Sequence, residues 1–173
     1  MKLTTLLSVA LAAVLALPGC AEAKKQAECK SLIEAINPHT TKVRKLSDDM
    51  PADASLEVGA KAFTAMAAEV EAGAADVKKL EIETPELKKF AADYQTMCAG
   101  SSKAFKDMVA VTEKIGAAQK LAATNPEAAQ ADAAKAQTDA ANAEAEIKKA
   151  TAPEDTIIDG INTFCGATKE PSK

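Results

Sequence analysis

Between Leu56 and Leu80 the chain carries two interleaved seven-residue series, Leu56, Phe63, Val70, Val77 and Gly59, Met66, Gly73, Leu80. Ala60, Ala67 and Ala74 flank the second series. Apolar and small residues that recur every three or four positions form one stripe along a helix, and a heptad repeat is the packing seam of a helix bundle. The alternation of period two that a half-buried strand requires is absent from this stretch. The pattern predicts a helix over about 53–81 whose neighbours are themselves long helices. Two glycines in a helix interior each cost up to about 1 kcal/mol against alanine, so they are read as room for bulky side chains on a neighbour.

The flanking segments repeat the same grammar. Cys29, Leu32, Ile33, Ile36, Val43, Leu46 and Met50 are spaced by threes and fours, with Thr40 in phase, and predict a first helix from Lys24 to about Asp49. Asn37-Pro38 interrupts it, because proline lacks a backbone donor and disfavours helix just before itself. The stripe keeps its phase across Pro38, which favours one kinked helix over two. Glu83-Thr84-Pro85-Glu86 is a helix start, with threonine as N-cap and proline at the first helical position. A third helix follows to about Ala123. Thr124-Asn125-Pro126-Glu127 repeats the signal and opens a fourth helix, about 126–150, rich in alanine and without a large apolar residue before Ile147. Ala152-Pro153 marks a break. Ile157, Ile158, Ile161 and Phe164 then form an amphipathic segment over 154–165, with Gly166 as C-cap.

Short turns between long helices imply antiparallel neighbours. The expected fold is therefore all-α: an antiparallel up-down bundle of about four helices plus a short C-terminal helix, a single domain over 24–166, with 167–173 a flexible tail. In a tight hairpin about residues 82–83, Phe90 and Tyr94 fall beside Gly73 and Ala74, and Phe105 beside Gly59 and Ala60. Helices of about 27 residues span roughly 40 Å and helices of about 40 residues roughly 60 Å. The third helix, and the fourth and last helices taken together, should thus overhang the first two by up to about 20 Å. That overhang, around Ile115 to Ala140, would be an alanine-rich two-helix prong.

At the N-terminus, Met1-Lys2 precedes an apolar run from Leu3 to Leu17, interrupted by Thr4, Thr5 and Ser8. The run is shorter than the about twenty residues a membrane-spanning helix needs and has the layout of a cleaved export signal. It ends in Leu17-Pro18-Gly19-Cys20, which resembles the lipobox of bacterial lipoproteins. The resemblance implies removal of residues 1–19, lipidation of Cys20 with two or three acyl chains, and a tether over 20–23. Two or three chains hold a protein durably on a membrane without a spanning segment. Ala21, where an aspartate would retain a lipoprotein in the inner membrane, leans the expected location to the periplasmic side of the outer membrane.

With Cys20 acylated, Cys29, Cys98 and Cys165 remain, so one disulfide leaves one free thiol. The bundle topology brings the start of the first helix and the end of the last to the same end. Cys29 with Cys165 is the first choice, leaving Cys98 free. Cys29 with Cys98 is the next best by helix counting, and Cys98 with Cys165 fits worst. No C-x-x-C spacing supports a redox motif, a zinc ribbon or covalent haem.

A net charge of −4 argues against nucleic acid as a partner. His39, the sole histidine, would need a methionine partner to hold haem, and is read instead as a polar residue on an exposed turn beside Pro38. No Glu-x-x-His pair offers a carboxylate metal site. Ser101-Ser102 lack a partner base and read as packing. The scattered Glu and Lys residues read as solvated helix faces. Lys173 shares its terminal position with the peptidoglycan-linked lysine of the murein lipoprotein, but the short single-helix architecture of that family is missing here. No catalytic residue, cofactor or metal is expected. The resulting expectation is a membrane-anchored, non-enzymatic scaffold or interaction module of the cell envelope, meeting another envelope protein or a second copy through residues 116–140. The alternative is a carrier of a lipid or other apolar ligand in the bundle core.

Overall fold

The computed structural model describes residues 18–51 and 53–166, with side chains from Ala21 onward. The expected signal segment through residue 17, the side chain of Cys20, and the tail 167–173 with Lys173 lie outside the described residues. Five helices follow one another: α1 (Pro18–Asp48), α2 (Leu56–Lys78), α3 (Pro85–Leu121), α4 (Pro126–Thr151) and α5 (Glu154–Cys165). The architecture is the expected helical bundle, and no strand occurs among the described residues.

The helix ends follow local chemistry. Helix α1 begins at Pro18, well before the expected start at Lys24, so residues 20–23 are helical. Proline needs no donor at a first helical position, and Ala, Glu and Lys after it have high helix propensity. Pro38 lies inside α1, which continues through it as one helix. Helix α2 is shorter than the expected 53–81 at both ends. Ser55 caps it, accepting the Val58 amide at 3.3 Å. Leu80 lies beyond its last turn yet still packs on the core. Asn125 caps α4, accepting the Ala128 amide at 3.2 Å. Gly166 ends α5 at φ 68°, the left-handed conformation that a C-terminal cap demands and glycine adopts freely.

Helix α3 is the centre of the molecule, running between α2 on one side and α4 on the other. Helix α1 packs on α2, and α5 closes against α3 and α1. Leu32 and Ile36 of α1, Met66, Val70 and Val77 of α2, Leu87, Tyr94 and Phe105 of α3, and Ile157 and Ile161 of α5 form the main core. Farther along, Met108, Val111 and Ala143 make a small second cluster that Phe63 and Ile147 edge.

The large-opposite-small expectation holds at one glycine and fails at the other. A Cβ on Gly73 would stand 2.7 Å from the Tyr94 hydroxyl oxygen and 3.1 Å from the His39 Cβ, so this position must be bare. A Cβ on Gly59 would have nothing within 4 Å. Phe105 stacks on Phe63 instead, with ring centroids 6.3 Å apart. Phe90 packs against α5: a Cβ on Gly160 would fall 2.6 Å from its ring.

The overhang is also smaller than helix lengths imply. The position a Cβ would take on Gly116 lies 3.9 Å from Leu56, so α2 flanks α3 almost to its end. Only the last five residues of α3, roughly 8 Å of helix, and the matching start of α4 stand clear of α2.

Candidate functional site

At one end of the bundle, three chain segments meet around the start of α1. Cys29 and Cys165 form a disulfide with Cα atoms 5.7 Å apart, which staples α1 to the last residue of α5. Lys25 stands over the Phe164 ring at 4.4 Å from its centroid. Lys24 forms an ion pair with Glu83 in the α2–α3 turn. Glu28, buried although charged, accepts the Glu83 amide at 3.1 Å and the Thr84 amide at 3.0 Å. Hydrogen bonds from Thr84, hydroxyl and amide, and from Glu83 hold its carboxyl below the usual range. Thr84 sits at the N-cap of α3 as expected, but its side chain makes no cap bond there. A carboxylate from another helix instead takes the amides of Glu83 and of Thr84 itself, and the pattern of α3 alone carries no signal of it. Cys20 sits nine residues ahead of Cys29 on the same helix, about 13 Å along its axis.

His39 is not on an exposed turn. It lies within α1, and its Nδ1 and Nε2 face Glu69 Oε2 at 3.0 Å and Asp76 Oδ2 at 3.1 Å. Because α1 continues through Pro38, the ring is carried onto the face that meets α2. Both ring nitrogens are occupied by carboxylates. The imidazole works as a clasp between the two helices.

Cys98 is free and buried at 1% exposure. Burial pushes its thiol up to about 11, so the reactive thiolate is scarce at neutral pH. Tyr94, beside it, is pushed upward mainly by its own burial. Ser101 and Ser102 are both buried, and the Ser102 hydroxyl donates to Glu71 at 2.6 Å. Lys106 ion-pairs with the same carboxylate, which is held low by that ammonium first and the hydroxyl second. No group of three or more His, Cys, Asp or Glu able to hold a metal occurs among the described residues.

At the other end, α4 buries only Ala129, Ala136 and Ala143, seven residues apart. On α3, Ala104, Val111 and Ala118 are buried at the same spacing. The α3–α4 hairpin is thus closed by a seam of small side chains, with Lys114 bridging to Asp139 at 2.6 Å. Ala131, Ala134, Ala141 and Ala145 of α4 face solvent.

Space for a ligand lies mainly outside the core. The cavity between His39, Tyr94, Cys98 and Ser101 measures about 30 Å³, a water-sized volume. An open groove of about 470 Å³ runs between α3 and the α4–α5 bend, past Met97, Gly100, Ala150 and Pro153. A second, of about 580 Å³, lies between α2 and α3 beside Glu71 and Lys106. No helix among the described residues is long and apolar enough to cross a membrane. No family model, curated protein or solved structure matches the chain.

Proposed function

We propose that the chain is a lipid-anchored, non-enzymatic lipoprotein of the cell envelope that acts as a helical interaction scaffold. Cys20 carries the acyl chains on the periplasmic side of the outer membrane. The stapled end of the bundle then faces the lipid, and the α3–α4 hairpin points away from it. The observation that carries this reading is the hairpin itself. Its fourth helix is held by small residues on one side and exposes small residues on the other, where a partner helix from another envelope protein or a second copy can approach closely.

The side chains most able to do chemistry support a non-catalytic role. His39 has both nitrogens engaged, Cys98 is a buried high-pKa thiol, and Ser102 hydrogen-bonds a carboxylate already paired with lysine. A ligand carrier in the bundle core is disfavoured by a core cavity of only about 30 Å³.

Two measurements test the scaffold. Metabolic labelling with a fatty acid should mark the wild-type chain and not Cys20→Ser. Replacing residues 117–131 by a short turn should remove partners captured by in-cell crosslinking while helicity and the disulfide persist. Unchanged crosslinks after that replacement would reject the hairpin as the interaction surface.

A further inference from the structure

The geometry points to a buried hydration site: the small cavity between α1, α3 and the α4–α5 bend binds one long-lived water molecule, with Ser101 as its first partner. The site does not depend on the scaffold reading.

Two polar residues stand in stripes that are otherwise apolar. Ser101 follows Tyr94 by seven residues and precedes Met108 by seven, and both of those are core residues of α3. Thr40 keeps the phase of the α1 stripe between Ile36 and Val43. A hydroxyl in a packed seam costs free energy unless it is hydrogen-bonded. Both residues line the same cavity of about 30 Å³. One water needs about 10–15 Å³ of such space, whereas small-molecule sites begin near about 300 Å³, so the size selects water.

Ser101 supplies the demand for it. The residue is 2% exposed, and its hydroxyl makes no hydrogen bond among the described residues. No side-chain oxygen or nitrogen among the described residues is both closed to water and without a partner. The Ser101 oxygen is therefore open to the cavity that the residue lines. The rest of the wall completes a hydrogen-bonding set. The Tyr94 hydroxyl lies beside Cys98 and Thr40, and burial pushes the phenol and the thiol upward, so both keep their protons at neutral pH. Thr40 and Thr151 donate to the Ile36 and Ile147 carbonyls at 3.3 and 2.9 Å, which leaves their oxygens free to accept. The titratable groups on the wall are engaged elsewhere: His39 faces Glu69 and Asp76, and Glu154 meets Arg44 at 2.8 Å. The cavity thus offers donors and acceptors to a neutral molecule and no uncompensated charge to an ion. A water bonded to Ser101 and to two of these hydroxyls joins α1, α3 and the end of α4.

Oxygen-17 magnetic relaxation dispersion of the full chain carrying Cys20→Ser tests the site, because it reports water itself and not exchanging hydroxyl protons. Ser101→Val removes the hydroxyl and adds a methyl group to the space, so its dispersion amplitude should fall by one long-lived water. Ser102→Ala is the control, since the Ser102 hydroxyl donates to Glu71 instead, and its amplitude should equal that of the parent. Equal amplitudes for the parent and Ser101→Val, or the same loss in Ser102→Ala, would overturn the proposal. A high-resolution crystal structure of the parent decides the matter if Ser101→Val does not fold. It should show an ordered water oxygen about 2.5–3.0 Å from Ser101 Oγ, and a dry cavity would equally overturn the proposal.

Discussion

Glu28 on α1 accepts the backbone amide of Thr84, the N-cap residue of α3, at 3.0 Å, so one helix satisfies a donor at the start of another. The second carboxylate oxygen takes the Glu83 amide. A helix start leaves backbone donors without partners, and a negative charge there is favoured by the helix dipole. Here that local need is met by a residue more than fifty positions away, which ties the α2–α3 turn to the stapled end.

The acid limb of stability should reflect this contact. The Glu28 carboxyl is held low by Thr84, Glu69 by His39 and then Lys42, and Glu71 by Lys106 and then Ser102. A carboxyl lowered in the folded state stabilises fully above its unfolded value, about 4.3, and that stability is lost as pH falls through the folded value. Thermal melts should therefore show Tm falling as pH drops below about 4.3. Glu28→Gln should lower Tm at pH 7 and flatten that acid decline. Parallel pH profiles for wild type and Glu28→Gln would contradict that role.

The two heptad glycines of α2 should respond in opposite directions. Gly73→Ala drives a methyl into the Tyr94 hydroxyl and should cost about 1–3 kcal/mol. Gly59→Ala meets open space and should stabilise by up to about 1 kcal/mol through helix propensity. Removing the hydroxyl in Gly73→Ala/Tyr94→Phe should recover part of the loss, a coupling of about 0.5–3 kcal/mol. Urea denaturation of the four proteins checks all of this, and additive single effects would exclude the contact as the cause.

Breaking the staple should be expensive and should leave Cys98 unchanged. The loop between Cys29 and Cys165 spans 136 positions, and the double variant Cys29→Ser/Cys165→Ser should lose about 2–5 kcal/mol in guanidinium denaturation. Cys98 should resist alkylation at pH 8 in the native protein and react promptly once unfolded, because burial raises its thiol to about 11. Rapid native alkylation would show that α3 opens there far more readily than its packing implies.

The alanine seam of the hairpin is equally open to test. Ala136 is 1% exposed, in the middle of the buried alanines of α4. Ala136→Leu should push α4 from α3 and cost about 1–3 kcal/mol. The exposed Ala134→Leu should change stability by less than about 0.5 kcal/mol. Calorimetric Tm values for the pair would distinguish a close-packed seam from a loose one.

Much of the fold was legible because helices announce themselves locally. Pro85, Pro126 and Pro153 stand where α3, α4 and α5 begin or break, and Gly166 ends the last helix at the position its neighbours implied. Cys29 with Cys165 was legible for a coarser reason, since antiparallel topology brings the two chain ends together. The partner choices of individual side chains were not legible. Phe90 went to Gly160, not Gly73, and His39 became a clasp between Glu69 and Asp76 although Pro38 suggested a turn. Nothing in the pattern around Glu28 announces its contact with the start of α3.

By itself, then, the sequence determined that this chain would be a bundle of long antiparallel helices, because backbone hydrogen bonds, proline geometry and apolar periodicity all act within a few residues. Only the tertiary structure decided the reach of the hairpin, the carboxylate at the start of α3, the role of the histidine and the groove beside Gly100. Each of these depends on how far one helix slides and rotates against another. That register is set by the packing of whole side-chain layers, in which a ring such as Phe105 settles only when every neighbour has found its place.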